Sequence, residues 1–197
     1  NLTVTPGNAS STARRYNIVM MANGIYNPTV RTKVTSIGNI TRSAGGQNVI
    51  GHIAYDGGVA EVAGNLTITN SPTSIGLSIN GSNSSGVSSA ISSGNITITG
   101  TDSVGIYNNG GNYTLTGGSI NANGAGTIGV YASTDGSTLS NTVLGSGNVT
   151  ATGSGAVALY ASGGSDITLN GTTISVGNGG LLFYGSGTST DESQLYL

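Results

Sequence analysis

Short hydrophobic segments alternate with clusters of Gly, Asn and Ser along most of the chain. One recurring phrase is a small residue, an aliphatic residue and Tyr, followed by a turn; its copies span 23–27, 104–108, 128–132, 157–161 and 181–185, with weaker copies at 52–55 and 75–78. Val, Ile, Thr and Tyr bounded by Gly, Asn and Ser are strand and turn signals. No window shows a sustained helical period of apolar residues, so the pattern predicts short β-strands.

A second phrase recurs in step with the first. It begins with Gly and then alternates an aliphatic residue with Thr, Asn or Ser; its copies span 38–41, 64–69, 94–99, 118–121 and 147–152, with a divergent last copy at 172–175. A third segment fills the gap between the two phrases, as at 112–116 and 166–169. Each repeat unit is therefore predicted to hold three short strands.

The spacing of the first phrase shows how the units are arranged. Its closing positions are Tyr26, Tyr55, Ser78, Tyr107, Tyr131, Tyr160 and Tyr184, and the intervals between them are 29, 23, 29, 24, 29 and 24 residues. Three strands per unit, stacked unit on unit, indicate a solenoid. We predict an all-β, right-handed parallel β-helix of about six coils of 23–29 residues, with three strands per coil.

The same spacing divides the chain into three parts. Residues 1–22 are predicted to be an N-terminal basic segment or cap, and residues 23–187 the β-helix repeats. Residues 188–197 are predicted to be a C-terminal tail or the start of a further coil.

Composition supports this architecture over disorder. Gly, Ser, Thr and Asn together make up 109 of the 197 residues, and only 6% are charged. Disordered segments are usually charged and poor in β-branched residues, whereas here Val, Ile and Thr are frequent and the net charge is −2. Stacked coils place equivalent residues about 4.8 Å apart, so equivalent charges would repel each other. The scarcity of charge therefore fits a β-helix.

The few charges are distributed by sign. All five basic residues lie in the first 42 positions, namely Arg14, Arg15, Arg31, Lys33 and Arg42, and all seven acidic residues follow them. We interpret the basic start as a solvated end segment or cap, with a docking patch for an anionic surface as the alternative. The remaining residues carry no Lys or Arg to neutralise phosphates, so no nucleic-acid partner is expected.

Candidate catalytic chemistry is sparse. The chain has no Cys and one His, His52, which we interpret as structural. Asp135 and Asp166 follow equivalent Tyr positions by four and six residues, so the repeat suggests that two adjacent coils hold them near each other. We therefore expect no catalytic residues, no metal and no cofactor, and a chain that is not an enzyme. No apolar run is long enough for a membrane helix, so no membrane insertion by this segment is expected.

Strand alternation assigns side chains to the two faces of each sheet. If Val104 and Ile106 point inward, then Gly105 and Tyr107 point outward. The predicted outer ladder is formed by Tyr107, Tyr131, Tyr160 and Tyr184. Such a ladder is either a stacking device that shields the sheet or a stripe that binds carbohydrate or a protein partner.

The second phrase predicts a polar array on another face. Its members are Thr67, Thr69, Thr97, Thr99, Asn121, Asn123, Thr150 and Thr152, with Ser175 after them. We interpret it as β-propensity on a solvated face. Ice binding by a Thr-x-Thr array is the alternative, and the Asn and Ser substitutions argue against the regularity that it needs.

These repeats resemble a known family. Val-Gly-Ile-Tyr at 104–107 and Ile-Gly-Val-Tyr-Ala at 128–132, alternating with Gly-Asn-Ile-Thr-Ile-Thr at 94–99, look like passenger domains of type V autotransporters, especially the outer-membrane autotransporter adhesins of fusobacterial type. The resemblance covers about residues 23–187 and departs from many such passengers in the near-total lack of Lys.

The resemblance implies a function and a location. It implies export across two membranes, display on the bacterial cell surface, and adhesion to host cells, other bacteria or copies of itself. The expected partner is a surface protein or glycan, and no catalytic residues carry over. The alternatives are an ice-binding protein and a carbohydrate-active β-helix or phage tailspike segment.

Overall fold

The chain forms a parallel β-solenoid of about six turns. The computed structural model describes residues 2–4, 17–24, 31–42, 46–83, 86–187 and 191–197. Every regular element in this part of the chain is a β-strand, and the strands stack into three parallel sheets. The predicted all-β parallel β-helix with three strands per coil is confirmed.

Within the described ranges each of the three sheets has seven strands. Sheet A carries the Gly/Asn/Thr phrase and consists of β1 (Leu2–Val4), β4 (Ile40–Arg42), β7 (Leu66–Ile68), β12 (Ile96–Ile98), β15 (Ser119–Ala122), β18 (Gly147–Ala151) and β21 (Thr172–Val176). Sheet B carries the Tyr phrase and consists of β2 (Asn17–Asn23), β5 (Val49–Tyr55), β8 (Ile75–Asn80), β13 (Val104–Asn109), β16 (Ile128–Ser133), β19 (Val157–Ser162) and β22 (Leu181–Ser186). Sheet C consists of β3 (Lys33–Ser36), β6 (Val59–Val62), β11 (Ser89–Ser92), β14 (Asn112–Leu115), β17 (Asn141–Leu144), β20 (Asp166–Leu169) and β23 (Leu195–Tyr196).

One strand from each sheet makes a rung, so that β1, β2 and β3 form the first rung and β21, β22 and β23 the seventh. A short antiparallel hairpin of β9 (Ser82–Asn83) and β10 (Gly86–Val87) lies between β8 and β11.

The two predicted end segments, 1–22 and 188–197, contain strands of the solenoid. Within 1–22 the described residues already belong to sheets A and B, and within 188–197 Leu195–Tyr196 pairs with β20.

The strand pairing confirms most of the predicted register. Ser78 and the four later Tyr residues of the first phrase form one in-register row on sheet B. The predicted place of Tyr55 in this row is wrong, because Tyr55 pairs with Asn80 and the row continues through Ile53 and Met21. Ile53 and Tyr55 are two residues apart and share a face, so alternation alone does not distinguish them. Tyr26 lies outside the described residues.

The solenoid interior is filled by rows of aliphatic side chains. Sheet A contributes two completely buried rows, which run through Leu66, Ile96, Ile120 and Val149 and through Ile68, Ile98, Ala122 and Ala151. Burying one large aliphatic side chain stabilises a protein by roughly 1.5–3 kcal/mol. A narrow interior of this kind is therefore stable with few apolar residues per rung.

Sheet B departs from the predicted alternation at the recurring Gly. A Cβ on Gly105 would lie 2.6 Å from Cγ2 of the core residue Ile120 and 2.5 Å from the carbonyl oxygen of Gly129. Gly105 therefore faces the interior, and the prediction that it points outward is wrong. Ile106 is completely buried, whereas Val104 is half-buried and not packed against the core. Strict alternation is therefore broken at this point, because the two successive residues Gly105 and Ile106 both face inward. Close backbone approach at Gly105 requires glycine.

Several polar side chains inside the solenoid are hydrogen-bonded, among them Asn108 and Tyr113. The Asn108 amide nitrogen donates to the Gly111 carbonyl and to the Thr142 hydroxyl, each at 3.0 Å, and its oxygen accepts from the Gly111 N–H at 3.0 Å. The Tyr113 and Ser92 hydroxyls lie 2.5 Å apart, and burial raises the pKa of Tyr113 well above its usual value. These bonds satisfy polar groups that would otherwise destabilise the core.

His52 is a buried polar residue without such partners. It lies in an interior row between Met20 and Leu77, and it is completely buried. Neither ring nitrogen has a hydrogen-bond partner among the described residues. Burial therefore lowers the pKa of His52 to about 4. The structure confirms its interpretation as a structural residue in the core.

The basic N-terminal region is only partly solvated. Arg42 lies in register with the core residue Ile68, is buried, and has its pKa lowered by burial. The expectation of a solvated basic segment is therefore wrong for Arg42. Lys33 is exposed and forms an ion pair of 2.6 Å with Glu61, and its hydrogen bond lowers the pKa of that carboxyl. Arg14 and Arg15 lie outside the described residues.

Stability is expected to fall as the pH decreases from about 6.5 to 4, because the unfolded chain binds a proton on His52 in this range and the folded chain does not. The lowering of the His52 pKa corresponds to about 3 kcal/mol of the free energy of unfolding. Urea unfolding of the native chain and of His52→Leu at pH 7 and pH 4 measures this effect. The Leu variant should lose about 3 kcal/mol less on acidification, and equal losses would contradict the assignment.

Candidate functional site

The Tyr ladder on sheet B stacks along the solenoid axis. The ring centroids of Tyr131 and Tyr160 are 4.4 Å apart with an interplanar angle of 6°. Tyr107 meets Tyr131 at 5.3 Å in a tilted arrangement, and Tyr184 meets Tyr160 edge-on at 5.0 Å. Each ring therefore covers part of its neighbour. This geometry favours the interpretation of the ladder as a stacking device.

Hydroxyl groups extend the ladder at its outer edge. The Ser162 hydroxyl donates to the Tyr131 hydroxyl at 3.2 Å. Burial raises the pKa of Tyr160, and the adjacent Tyr131 and Tyr184 raise it further. The raised pKa favours the neutral form of the Tyr160 hydroxyl.

A row of aliphatic side chains runs beside the Tyr ladder on the same outer face. Ile75, Val104, Ile128 and Val157 are in register with one another, half-buried, and not packed against the core. We call this aliphatic row, together with Tyr107, Tyr131, Tyr160 and Tyr184, the lateral strip. The prediction that Val104 points inward is wrong, and regular alternation for this reason does not reveal the aliphatic row. The recurring Gly was the available signal, because Gly in a strand often marks a bend or close backbone approach.

The predicted polar array lies on the outer face of sheet A. Ile96 and Ile98 are buried as predicted, and Thr97 between them is half-buried on the opposite face. One column of the array is in register through Thr67, Thr97, Asn121 and Thr150. The remaining predicted members, Thr69, Thr99, Asn123 and Thr152, are half-buried or exposed at the ends of these strands.

Hydrogen bonds join members of the array to one another. The Thr152 hydroxyl donates to the Asn123 side-chain oxygen at 2.9 Å, and the Asn121 amide nitrogen lies 3.5 Å from the Thr97 hydroxyl. Asn121 and Asn123 interrupt the succession of Thr hydroxyls. The array therefore lacks the uniform Thr-x-Thr repeat that matching to an ice lattice would require.

The candidate carboxylates are bound to backbone groups. One oxygen of Asp135 accepts from the N–H groups of Ser137 and Thr138 at 2.8 and 2.7 Å. Asp166 accepts from the Gln194 N–H at 2.9 Å. Both carboxylates thus fix turns and strand ends. Among the described residues no group of three or more His, Asp or Glu side chains could hold a metal ion.

Comparison with known proteins finds no relative. No protein-family model, no curated protein and no solved structure matches the chain. The part of the chain that the structure describes contains no helix that is both long and apolar enough to cross a membrane.

Substitution of Tyr160 measures how much ring stacking contributes to stability, because Tyr160 contacts a ring on each side. Each aromatic pair contributes about 0.5–1.5 kcal/mol beyond area burial, so Tyr160→Ala should cost about 1–3 kcal/mol in urea unfolding. Tyr160→Phe retains the ring and should cost less than about 1 kcal/mol. Equal losses in both variants would instead assign the stabilisation to the hydroxyl.

Proposed function

We propose that this chain is a non-enzymatic adhesive segment of a bacterial surface protein, of the autotransporter passenger type. The lateral strip carries the proposal. It is an apolar surface, in register over successive rungs, on the side of a regular β-solenoid. Contiguous apolar surface that stays accessible in a folded protein is typical of interaction sites.

The packing of the rings favours a protein surface as the partner. The faces of Tyr131 and Tyr160 contact each other, so they are not free to stack on a sugar ring. What the strip offers is aromatic edges, hydroxyls and the aliphatic side chains of Val104, Ile128 and Val157. Tyr and aliphatic side chains are typical of the buried centre of protein interfaces. A glycan is the second partner class, for which the exposed Tyr184 is the available ring.

The strip contains no charged residue. Binding through it would therefore depend on apolar burial and hydrogen bonds, and only weakly on ionic strength. A rod with 6% charged residues has few long-range electrostatic preferences among partners. This property supports attachment to varied surfaces, such as host cells, other bacteria or further copies of the chain.

The proposed location is the outside of the bacterial outer membrane. It rests on the resemblance of the Tyr and Thr repeats to autotransporter passengers, together with the β-solenoid fold that such passengers share. The solenoid stacks its rungs about 4.8 Å apart, so it extends in proportion to the number of repeats. A solenoid that lengthens with each added repeat can project away from the cell and carry the lateral strip with it.

Two double variants on the same pair of rungs test the role of the strip. Ile128→Lys with Val157→Lys places two charges in the strip, and Asn121→Lys with Thr150→Lys places two charges on the polar array of sheet A. Beads that carry each chain are incubated with host-cell monolayers and with bacteria, and attached beads are counted. The strip variant should attach at least about tenfold less, since charge opposes burial of an apolar surface.

The array variant is the matched control and should attach like the native chain. Circular dichroism and thermal melting establish that both variants fold. Native beads that attach no better than uncoated beads would contradict the adhesion proposal. Equal loss in both variants would contradict the assignment to the strip.

A further inference from the structure

The four rings of the Tyr ladder are in contact through three successive steps. The ring centroids of Tyr107 and Tyr131 are 5.3 Å apart, and those of Tyr131 and Tyr160 are 4.4 Å apart. Tyr184 continues the row at 5.0 Å from Tyr160. Aromatic rings in direct contact have centroids about 4.5–7 Å apart, so the ladder is a continuous row of π systems along the solenoid axis.

Strand pairing keeps the rings next to one another. Tyr131 lies in register with Tyr107 on one side and with Tyr160 on the other, and Tyr160 lies in register with Tyr184. The hydrogen bonds between parallel strands hold neighbouring backbones about 4.8 Å apart. Neighbouring rings therefore remain side by side as long as sheet B is intact.

The composition leaves tyrosine as the main site of one-electron oxidation. Trp, Tyr and Cys are the side chains that lose a single electron most readily, and the sequence contains no Trp and no Cys. It has two Met residues, whose usual oxidation product is the sulfoxide, formed by gain of an oxygen atom. A radical on the ladder therefore has no better electron donor in this sequence than another Tyr.

Hydroxyl groups beside the rings provide a route for the proton. A phenol that has lost an electron is a strong acid and releases its hydroxyl proton. The Ser162 hydroxyl donates to the Tyr131 hydroxyl at 3.2 Å. Burial raises the pKa of Tyr160, and among the smaller effects a hydrogen bond with Ser186 lowers this pKa and one with Tyr131 raises it. The phenol groups of the central pair thus have hydroxyl neighbours with which to exchange a proton.

We propose that the Tyr ladder transfers a tyrosyl radical from ring to ring, so that one-electron oxidation of any member is shared along the row. The reactant class is one-electron oxidants, such as the intermediates that peroxidases form from hydrogen peroxide. The oxidant takes one electron from a ring, and the hydroxyl proton leaves. That ring then regains an electron and a proton from its neighbour, which becomes the radical. The proposal goes beyond adhesion and does not depend on it, because no partner of the lateral strip takes part.

The three steps differ in ring geometry. The rings of Tyr131 and Tyr160 are parallel within 6°, so their π orbitals face each other. Tyr107 and Tyr184 are inclined to their neighbours by 57° and 74°, which reduces this overlap. Transfer is therefore expected to be fastest within the central pair, through which a radical must pass between the two outer rings.

A radical trap placed in the ladder tests the proposal. 3-Aminotyrosine is easier to oxidise than tyrosine, so it retains a radical that reaches it. It replaces either Tyr131 or, as the matched control, Tyr55, which is also half-buried on sheet B and has no ring contact among the described residues. Both chains receive the same pulse of azide radical, a diffusing one-electron oxidant, at a dose below one oxidation per chain.

The aminotyrosyl radical is counted by electron paramagnetic resonance. The trap at Tyr131 collects oxidation from four rings instead of one, so its yield should be up to about four times that of the trap at Tyr55. Tyr107→Phe with Tyr160→Phe in the Tyr131 trap chain retains the rings but removes the neighbouring phenols. This pair should lower the yield to that of the Tyr55 trap.

Equal yields from the two traps would overturn the proposal, and this comparison uses chains in which the rest of the ladder is native. A yield from the Tyr131 trap that the two Phe substitutions leave unchanged would overturn it as well. Circular dichroism and thermal melting establish that the compared chains are folded. Because attachment to cells is not measured, failure of the adhesion proposal would leave these expected yields the same.

Discussion

The structure depends on the in-register stacking of parallel strands. Successive rungs lie about 4.8 Å apart, so each side chain meets its counterpart in the rung above and the rung below. A side chain must therefore be compatible with the side chains at the same position in the neighbouring rungs. Identical apolar residues gain contacts in this arrangement, while identical charges repel. The aliphatic interior rows, the Tyr ladder and the 6% charge content are three results of this constraint.

The same constraint determines which polar residues the interior accepts. Asn108 and Tyr113 are satisfied by groups of their own and adjacent rungs. The Asn108 bonds join sheet B to sheet C at their corner, and the Tyr113–Ser92 bond joins two strands of sheet C. His52 occupies an equivalent interior environment without such partners. The neutral ring is tolerated because imidazole can lose its charge at modest cost, whereas a permanent charge requires pairing. Stacking therefore favours interior polar residues that are hydrogen-bonded, as Asn108 and Tyr113 are, or that can become neutral, as His52 can.

The periodic repeats were sufficient to predict the fold, and the three strands per coil follow from the three phrases. The position of single residues within the repeats was less predictable. Gly105 and Ile106 are successive residues that both face inward, and strict alternation has no means of representing such a pair. Tyr55 was misaligned because Ile53 lies on the same face and only strand pairing separates them. The aliphatic row of the lateral strip was missed through the first of these errors.

Stacking also determines what the sides of the solenoid offer to a partner. On the sides, backbone groups are already paired within the sheets, so a partner meets only side chains, and the lateral strip is the apolar part of that surface. Contact through side chains alone requires no match of strand edges or of rung spacing. It can therefore tolerate many partner shapes, whereas pairing along a strand edge would require an extended partner segment.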